Sequence, residues 1–230
     1  MHCCLYQILG NHKGLPLQLH HFMKAEVSLT TSKSWSQIFL DEKLKKTLLD
    51  EILPNYIRDR RWFAGKASTI KQLQFDFVLP VTVGRTTYYL VVLEVIFEES
   101  FVHHYFLTFG FWTDENNPPK ERSIIRSLKV RGKTGWLVEA IYKPEFLEFL
   151  FAQLKAGKNI NIENGNLVFD RGSILRKDKE AKIEAKLLDV DQSNSSVIYN
   201  DKYFLKLFRR LFRGTNPDVE MVHFLTEKND

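Results

Sequence analysis

The sequence predicts an α+β fold: an antiparallel sheet with flanking helices, followed by a smaller sheet with one helix. Three observations support this. Runs between residues 71 and 112 are rich in β-branched and aromatic residues, and the first alternates polar and apolar side chains with period two. Helix signals, from apolar spacing or from end signals, are confined to stretches near 34–57, 145–156 and 217–228. Apolar residues make up 44% of the 230, enough to bury a core and too many for a disordered or collagen-like chain.

Residues 1–24 lack a continuous apolar stretch and a small-residue cleavage site, so they make a poor signal peptide. They differ in pattern from the remainder of the chain and are read as a leader without fixed structure or an overcalled start. From Ser34 onward, Trp35, Ile38, Phe39, Leu44, Leu48, Ile52 and Leu53 fall near helical spacing. A helix is expected there, capped by Ser34 and interrupted by Pro54. QLQFDFVLPV, TTYYLVVLEVIFEE and FVHHYFLTFGFW then read as neighbouring antiparallel strands. Asn116-Asn117-Pro118-Pro119 marks a loop and TGWLVEAIY a further strand. Pro144-Glu145 opens a helix to about residue 156, where Gly157 can close it.

Residues 158–165 are rich in asparagine, carry a turn signal at Asn164-Gly165, and read as a junction. NLVFDRG and AKIEAKLLDVD are strand-like, and QSNSSVIYNDKYFLKLFRRL reads as a loop followed by a hairpin about Asn200-Asp201. Asn216-Pro217-Asp218 opens a last helix, pairing an N-cap residue with a proline at the first helical position.

The net charge of +5 comes from interspersed acids and bases, with one basic cluster at Lys202, Lys206, Arg209, Arg210 and Arg213. That pattern reads as a solvated or anion-binding face and not as a nucleic-acid surface. The longest apolar run is interrupted by Glu94 and falls well short of the ~20 residues of a membrane helix. Cys3 and Cys4 are adjacent and cannot staple distant parts of the fold, which fits a reducing, cytoplasmic setting.

The stretch 191–220 is the most informative. A loop of small polar residues, Gln192, Ser193, Asn194, Ser195 and Ser196, can approach phosphate closely and offer N–H groups and hydroxyls. In the second strand of the hairpin, period two puts Phe204, Lys206 and Phe208 on one face, and Leu205, Leu207 and Arg209 on the other. Glu220, on the last helix, could pair with the Lys206 ammonium and hold it where it meets nucleotide phosphates. This is the layout that kinase-like amino lobes use to hold nucleotide phosphates; the alternative is that Lys206 snorkels at a strand edge and Glu220 is solvated.

The second conspicuous string is RRWFAGKA, residues 60–67. It is not a Walker A motif: Arg60 stands where the first glycine is required, and Ala67 where a Ser or Thr would hold Mg²⁺. Trp62 and Phe63 read as core anchors and Gly65 as a tight turn. The pairs His20-His21 and His103-His104 have no Cys, Asp or Glu at ligand spacing along the chain, so no metal ligand is assigned. G-x-S-x-G, H-E-x-x-H and G-x-G-x-x-G motifs do not occur.

At these two strings the sequence resembles the maltokinases, both the stand-alone enzymes and those fused to trehalose synthase. LPNYIRDRRWFAGKA resembles the opening of their amino-terminal cap domain. DQSNSSVIYNDKYFLKLFRRLFRGTNPDVEMVHFLTE resembles their nucleotide-binding subdomain. The likeness covers residues 35–230. It implies a cap domain over 25–157 and a kinase-like nucleotide-binding subdomain over 158–230. It also implies transfer of the γ-phosphoryl group of ATP, with Mg²⁺, to maltose, giving maltose 1-phosphate for α-glucan (glycogen) synthesis. Carried over by position, Gln192 to Ser196 cover the phosphates, Lys206 binds them and Glu220 is its helix partner. Asp191 stands where the family has Glu, which keeps the charge.

The family's His-Gly-Asp catalytic loop and its Asp-Phe-Glu metal-binding segment belong to a carboxy-terminal lobe, and neither string occurs in these 230 residues. No catalytic residue is therefore assigned, and the chain is expected to bind nucleotide weakly and turn over nothing alone. Maltose is expected to bind only with that lobe. The alternative is a non-catalytic docking or regulatory module for a trehalose synthase or a complementary kinase lobe.

Overall fold

A computed structural model describes residues 29–162, 165–169, 173–177, 182–188, 193–212 and 214. The fold is α+β: a curled, mostly antiparallel seven-stranded sheet, a small three-stranded sheet and a few short helices. The leader 1–24 and the final helix lie outside the described residues.

Strand β1 (Leu29–Thr31) leads into a 3₁₀ turn (Trp35–Leu40), helix α1 (Glu42–Thr47), a π turn (Leu48–Ile52) and helix α2 (Leu53–Arg58). The single helix expected over 34–57 is therefore broken, and Ser34 makes no capping bond. Asp41 caps instead, its carboxylate accepting the Leu44 N–H at 3.0 Å and the Thr31 hydroxyl at 2.5 Å. The π turn is the physical consequence of Pro54. Proline has no N–H and crowds the carbonyl four residues back, and the wider turn before it, closed by Leu53 N–H to Leu48 O, makes room. Pro54 thus sits in the first turn of α2 and does not end a helix.

Strands β2 (Ile70–Val83), β3 (Thr86–Phe97) and β4 (Val102–Trp112) form the expected antiparallel run. Gly84, at φ 60°, turns β2 into β3 through a two-residue hairpin. Pro80 lies in β2, which is the edge strand and can spare the missing N–H. Strand β5 (Ile124–Val130), which sequence reading missed, pairs with the expected β6 (Lys133–Glu139) through a turn at Arg131-Gly132, both at positive φ. The order is β1-β5-β6-β4-β3-β2.

Period two in β3 sorts its side chains onto two cores. Tyr89, Val91, Leu93, Val95 and Phe97 face the helices of 42–58, with Leu53 and Ile57 fully buried against them. Each such aliphatic side chain contributes ~1.5–3 kcal/mol by burial. Tyr88 and Leu90 face the other way, onto helix α3 (Pro144–Ala156). This helix ends as expected at Gly157, whose left-handed φ of 62° lets its N–H reach the carbonyls of Gln153 and Leu154.

The stretch read as a junction is a small hairpin, β7 (Ile160–Ile162) with β8 (Gly165–Leu167), followed by the single turn of α4 (Ser173–Lys177). Strands β9 (Ala185–Leu187), β10 (Asn194–Tyr199) and β11 (Tyr203–Phe208) make the second sheet, in the order β11-β10-β9. The turn falls at Asn200-Asp201 as expected, both at positive φ, closed by Lys202 N–H to Tyr199 O at 3.0 Å. Val197 and Tyr199 share the α3 core, and the Tyr199 hydroxyl donates to Leu147 O.

The short β12 (Arg210–Leu211) leaves the small sheet and pairs with β4 at Tyr105 and His104. β6 occupies the β4 residues 109–112 and leaves the lower part of the strand to this pairing. At the crossing, Arg209 is 1% exposed and Glu139 2%. They form a bidentate pair, NH1 to Oε1 at 3.0 Å and NH2 to Oε2 at 2.6 Å. Nε donates to Ser195 Oγ at 2.9 Å, and NH1 also donates to Phe106 O. Glu139→Leu strands this guanidinium and is expected to lower stability by about 3–5 kcal/mol, whereas adding Arg209→Met recovers most of the loss. Urea unfolding of the three proteins reads both effects; equal midpoints for wild type and Glu139→Leu would refute them.

Candidate functional site

The β10–β11 hairpin places Ser196 directly opposite Lys206, and Asn194 opposite Phe208. Cross-strand partners share a face, so Asn194, Ser196, Lys206 and Phe208 line one side of the hairpin. Leu205 and Leu207 pack on the other side into the α3 core, and Arg209 is buried beyond them, as period two requires. Lys206 is exposed and its ammonium lies 4.9 Å from the Phe208 ring centre. Phe204, two residues earlier on the same face, is 59% exposed.

Two expectations about the polar loop change. Asn194, Ser195 and Ser196 are not loop residues but the first three of β10, which leaves Ser193 as the described residue ahead of the strand. Tyr199 and Tyr203 at the turn, and the pairing of all six residues, extend the ladder to the strand's first residue. Ser195 also turns inward, where its hydroxyl oxygen accepts from Arg209, so it stands on the opposite face from Lys206. Gln192 and Glu220 lie outside the described residues. The basic cluster divides likewise: Arg209 is buried on Glu139, and Arg210 reaches His103 Nε2 at 2.7 Å.

The string RRWFAGKA lies beside the same hairpin. Trp62 and Phe63 are buried anchors, as expected, and the Arg209 guanidinium sits 5.4 Å from the Trp62 ring centre. Gly65 is required by packing, because a Cβ there would overlap the rings of Phe97 and Phe63. The Ala64 N–H donates to Tyr105 Oη at 3.1 Å, and that oxygen lies 3.2 Å from His103 Nδ1. The network assigns His103 as the neutral Nδ1–H tautomer, with Nε2 accepting from Arg210. A chain of bonds thus runs from the 60–67 string to the strand after Lys206.

Between these parts lies a cavity of about 390 Å³, at the seam of the two sheets. Arg60, Arg61 and Arg122 line it with Asn194, Ser195 and Arg209. Sequence reading assigned no site role to Arg60, Arg61 or Arg122; their convergence is set by α2, by the loop ahead of β5 and by the hairpin, which are far apart in the chain.

His104 has carboxylate neighbours that linear spacing concealed. Glu94 is its cross-strand partner, with Oε2 at 3.1 Å from Nε2, and Asp76 Oδ2 lies at 4.0 Å. A register shift between Phe75 and Phe77 brings Asp76 into this row, and the three groups offer ligand atoms within 4.8 Å of one another. Gln74 donates to the other Glu94 oxygen at 2.5 Å. The absence of a nearby acid, expected from the sequence, is thus corrected by strand pairing. His20-His21 lies outside the described residues.

No protein-family model matches the chain. No described helix is long and apolar enough to cross a membrane.

Burial against Phe97 and Phe101 and the nearby Arg210 hold the His103 pKa below its ordinary 6.5. Below pH 6.5 the unfolded chain takes up this proton more readily than the folded one, so stability falls as pH drops from 6.5 through the lower folded-state value. His103→Gln is expected to flatten that slope in denaturant midpoints between about pH 7.5 and 5.5; an unchanged slope would count against the assignment.

Proposed function

We propose that this chain supplies the cap and ATP-phosphate-binding parts of a maltokinase-like sugar kinase. The observation that carries the reading is the direct pairing of Ser196, which is buried, with the exposed Lys206 on one face of the hairpin. The ammonium is a charge for phosphate oxygens, and the half-buried Asn194 offers a neutral amide donor on the same face, while the Ser196 side chain is buried. Phe204 and Phe208 flank the lysine with apolar surface suited to covering a nucleotide.

The described hairpin fits ATP phosphates but contributes no carboxylate to this face for Mg²⁺. In this reading the metal and the sugar hydroxyl are positioned by a carboxy-terminal lobe, and γ-phosphoryl transfer to maltose requires it. The residues of this chain bind and orient the phosphates and exclude water from them. The same exposed Phe204 favours a second reading, in which the face docks a complementary kinase lobe or a trehalose synthase without its own catalysis.

A fluorescent ATP analogue titrated onto the chain with Mg²⁺ tests the site. Lys206→Ala, an exposed position, is expected to weaken binding at least about tenfold, the equivalent of ~1.4 kcal/mol, with the fold intact by circular dichroism. Equal affinity for wild type and Lys206→Ala would refute the assignment. No maltose-dependent ATP consumption is expected from this chain alone, and measurable turnover would overturn the division of labour.

A further inference from the structure

We propose that Asp76, Glu94 and His104, on three neighbouring strands of the larger sheet, form a binding site for a divalent cation of the zinc class.

Strand register assembles the site. Gln74 of β2 lies opposite Glu94 of β3, and Glu94 opposite His104 of β4, so the three share one face of the sheet. It is the face away from the helices of 42–58, because Leu93, Val95 and Tyr105, their neighbours in the chain, point into that core. Asp76 is the extra residue at the register shift between Phe75 and Phe77, which keeps it beside Glu94 instead of opposite Val92.

The donor set suits a metal ion. One imidazole nitrogen and two carboxylate oxygens lie within 4.8 Å of one another. His104 Nε2 is 3.1 Å from Glu94 Oε2 and 4.0 Å from Asp76 Oδ2. The donors of a tetrahedral zinc site, with bonds of ~2.0–2.1 Å, stand about 3.3 Å apart. The His104–Glu94 spacing already matches that, and the exposed Asp76 carboxylate has only to turn inward. The His104–Glu94 contact alone is an ordinary hydrogen bond; the third donor makes it a ligand set. Imidazole beside carboxylate favours zinc over Mg²⁺, which takes oxygen ligands. Three protein ligands leave a fourth position to water.

The surroundings support the same assignment. Gln74 donates to Glu94 Oε1 at 2.5 Å, which leaves Oε2 directed at His104, the kind of outer contact that orients a metal-binding carboxylate. The His104 and Glu94 side chains are half-buried and that of Asp76 is exposed, so an ion has a path in from solvent. Among the described residues no lysine or arginine forms an ion pair with Asp76 or Glu94. Arg210 lines a recess of about 280 Å³ beside Glu94 and His104, but its guanidinium is bonded to His103 Nε2 and lies over the Phe212 ring.

The test is titration calorimetry with ZnCl₂ on the full chain carrying Cys3→Ser and Cys4→Ser, which removes the two thiolates as competing ligands. Zinc is expected to bind, and a hundredfold excess of Mg²⁺ not to displace it. Asp76→Ala, Glu94→Gln and His104→Gln are each expected to weaken zinc binding at least about tenfold. Asp76 is exposed, so its variant keeps the test open if either of the others fails to fold. Zinc is also expected to raise the urea midpoint of the parent chain and not that of His104→Gln, since an ion joining three strands stabilises the folded state. The proposal would be overturned by no zinc binding, by displacement with Mg²⁺, or by equal affinity in all three variants, which would place the ion elsewhere in the chain. Loss in His104→Gln with none in Asp76→Ala would overturn it too, leaving a histidine–glutamate pair. No nucleotide enters these measurements, so they stand or fall independently of the ATP-analogue titration.

Discussion

The buried pair of Arg209 and Glu139 fixes how the two sheets of this protein meet. Burying a guanidinium and a carboxylate together is tolerated only when geometry is good and the remaining donors are met. Here both carboxylate oxygens, the Ser195 hydroxyl and the Phe106 carbonyl meet them. The pair joins the end of β6 to the strand break between β11 and β12, so it sets where the hairpin leaves its own sheet and enters the larger one. A slip of one residue would bury Arg210 and expose Arg209, and the alternation of side chains makes that an all-or-none choice.

Around this pair the 60–67 string acts as a brace. Trp62 packs under the Arg209 guanidinium, and the backbone N–H of Ala64 is taken up by Tyr105 in β4. Gly65 allows the Phe97 and Phe63 rings to close over the turn. The two motifs, far apart in the chain, are therefore parts of one assembly. Their junction shapes the arginine-lined cavity on one side of β10 and leaves the lysine on the other.

Much of the fold is legible in residue order. Period-two alternation marks β2 to β4, and in β3 it also sorts the residues onto two cores. Gly157 and Asn200-Asp201 mark their turns through left-handed backbone. The broken first helix is less legible, because apolar spacing does not distinguish one helix from 3₁₀, α and π pieces joined around a proline. β5 is hidden by its arginine and lysine residues, and is a strand because β6 and the parallel β1 lie on either side of it. Of the candidate site, the shared face of Phe204, Lys206 and Phe208 follows from alternation alone. The inward turn of Ser195 does not, since a serine suits a phosphate loop and a buried hydrogen bond equally well.

Residue order was sufficient for the α+β class, the hairpin about Asn200-Asp201 and the side of β11 from which Lys206 projects. All three rest on local rules: alternation, backbone preference at turns and the conformational limits of proline. Contacts between distant elements were needed to bury Arg209 in place of Arg210, to gather Arg60, Arg61 and Arg122 around one cavity, and to stand Asp76 and Glu94 beside His104. Each depends on strand register and on which elements meet, and charge in a linear sequence carries no record of the partner that will neutralise it.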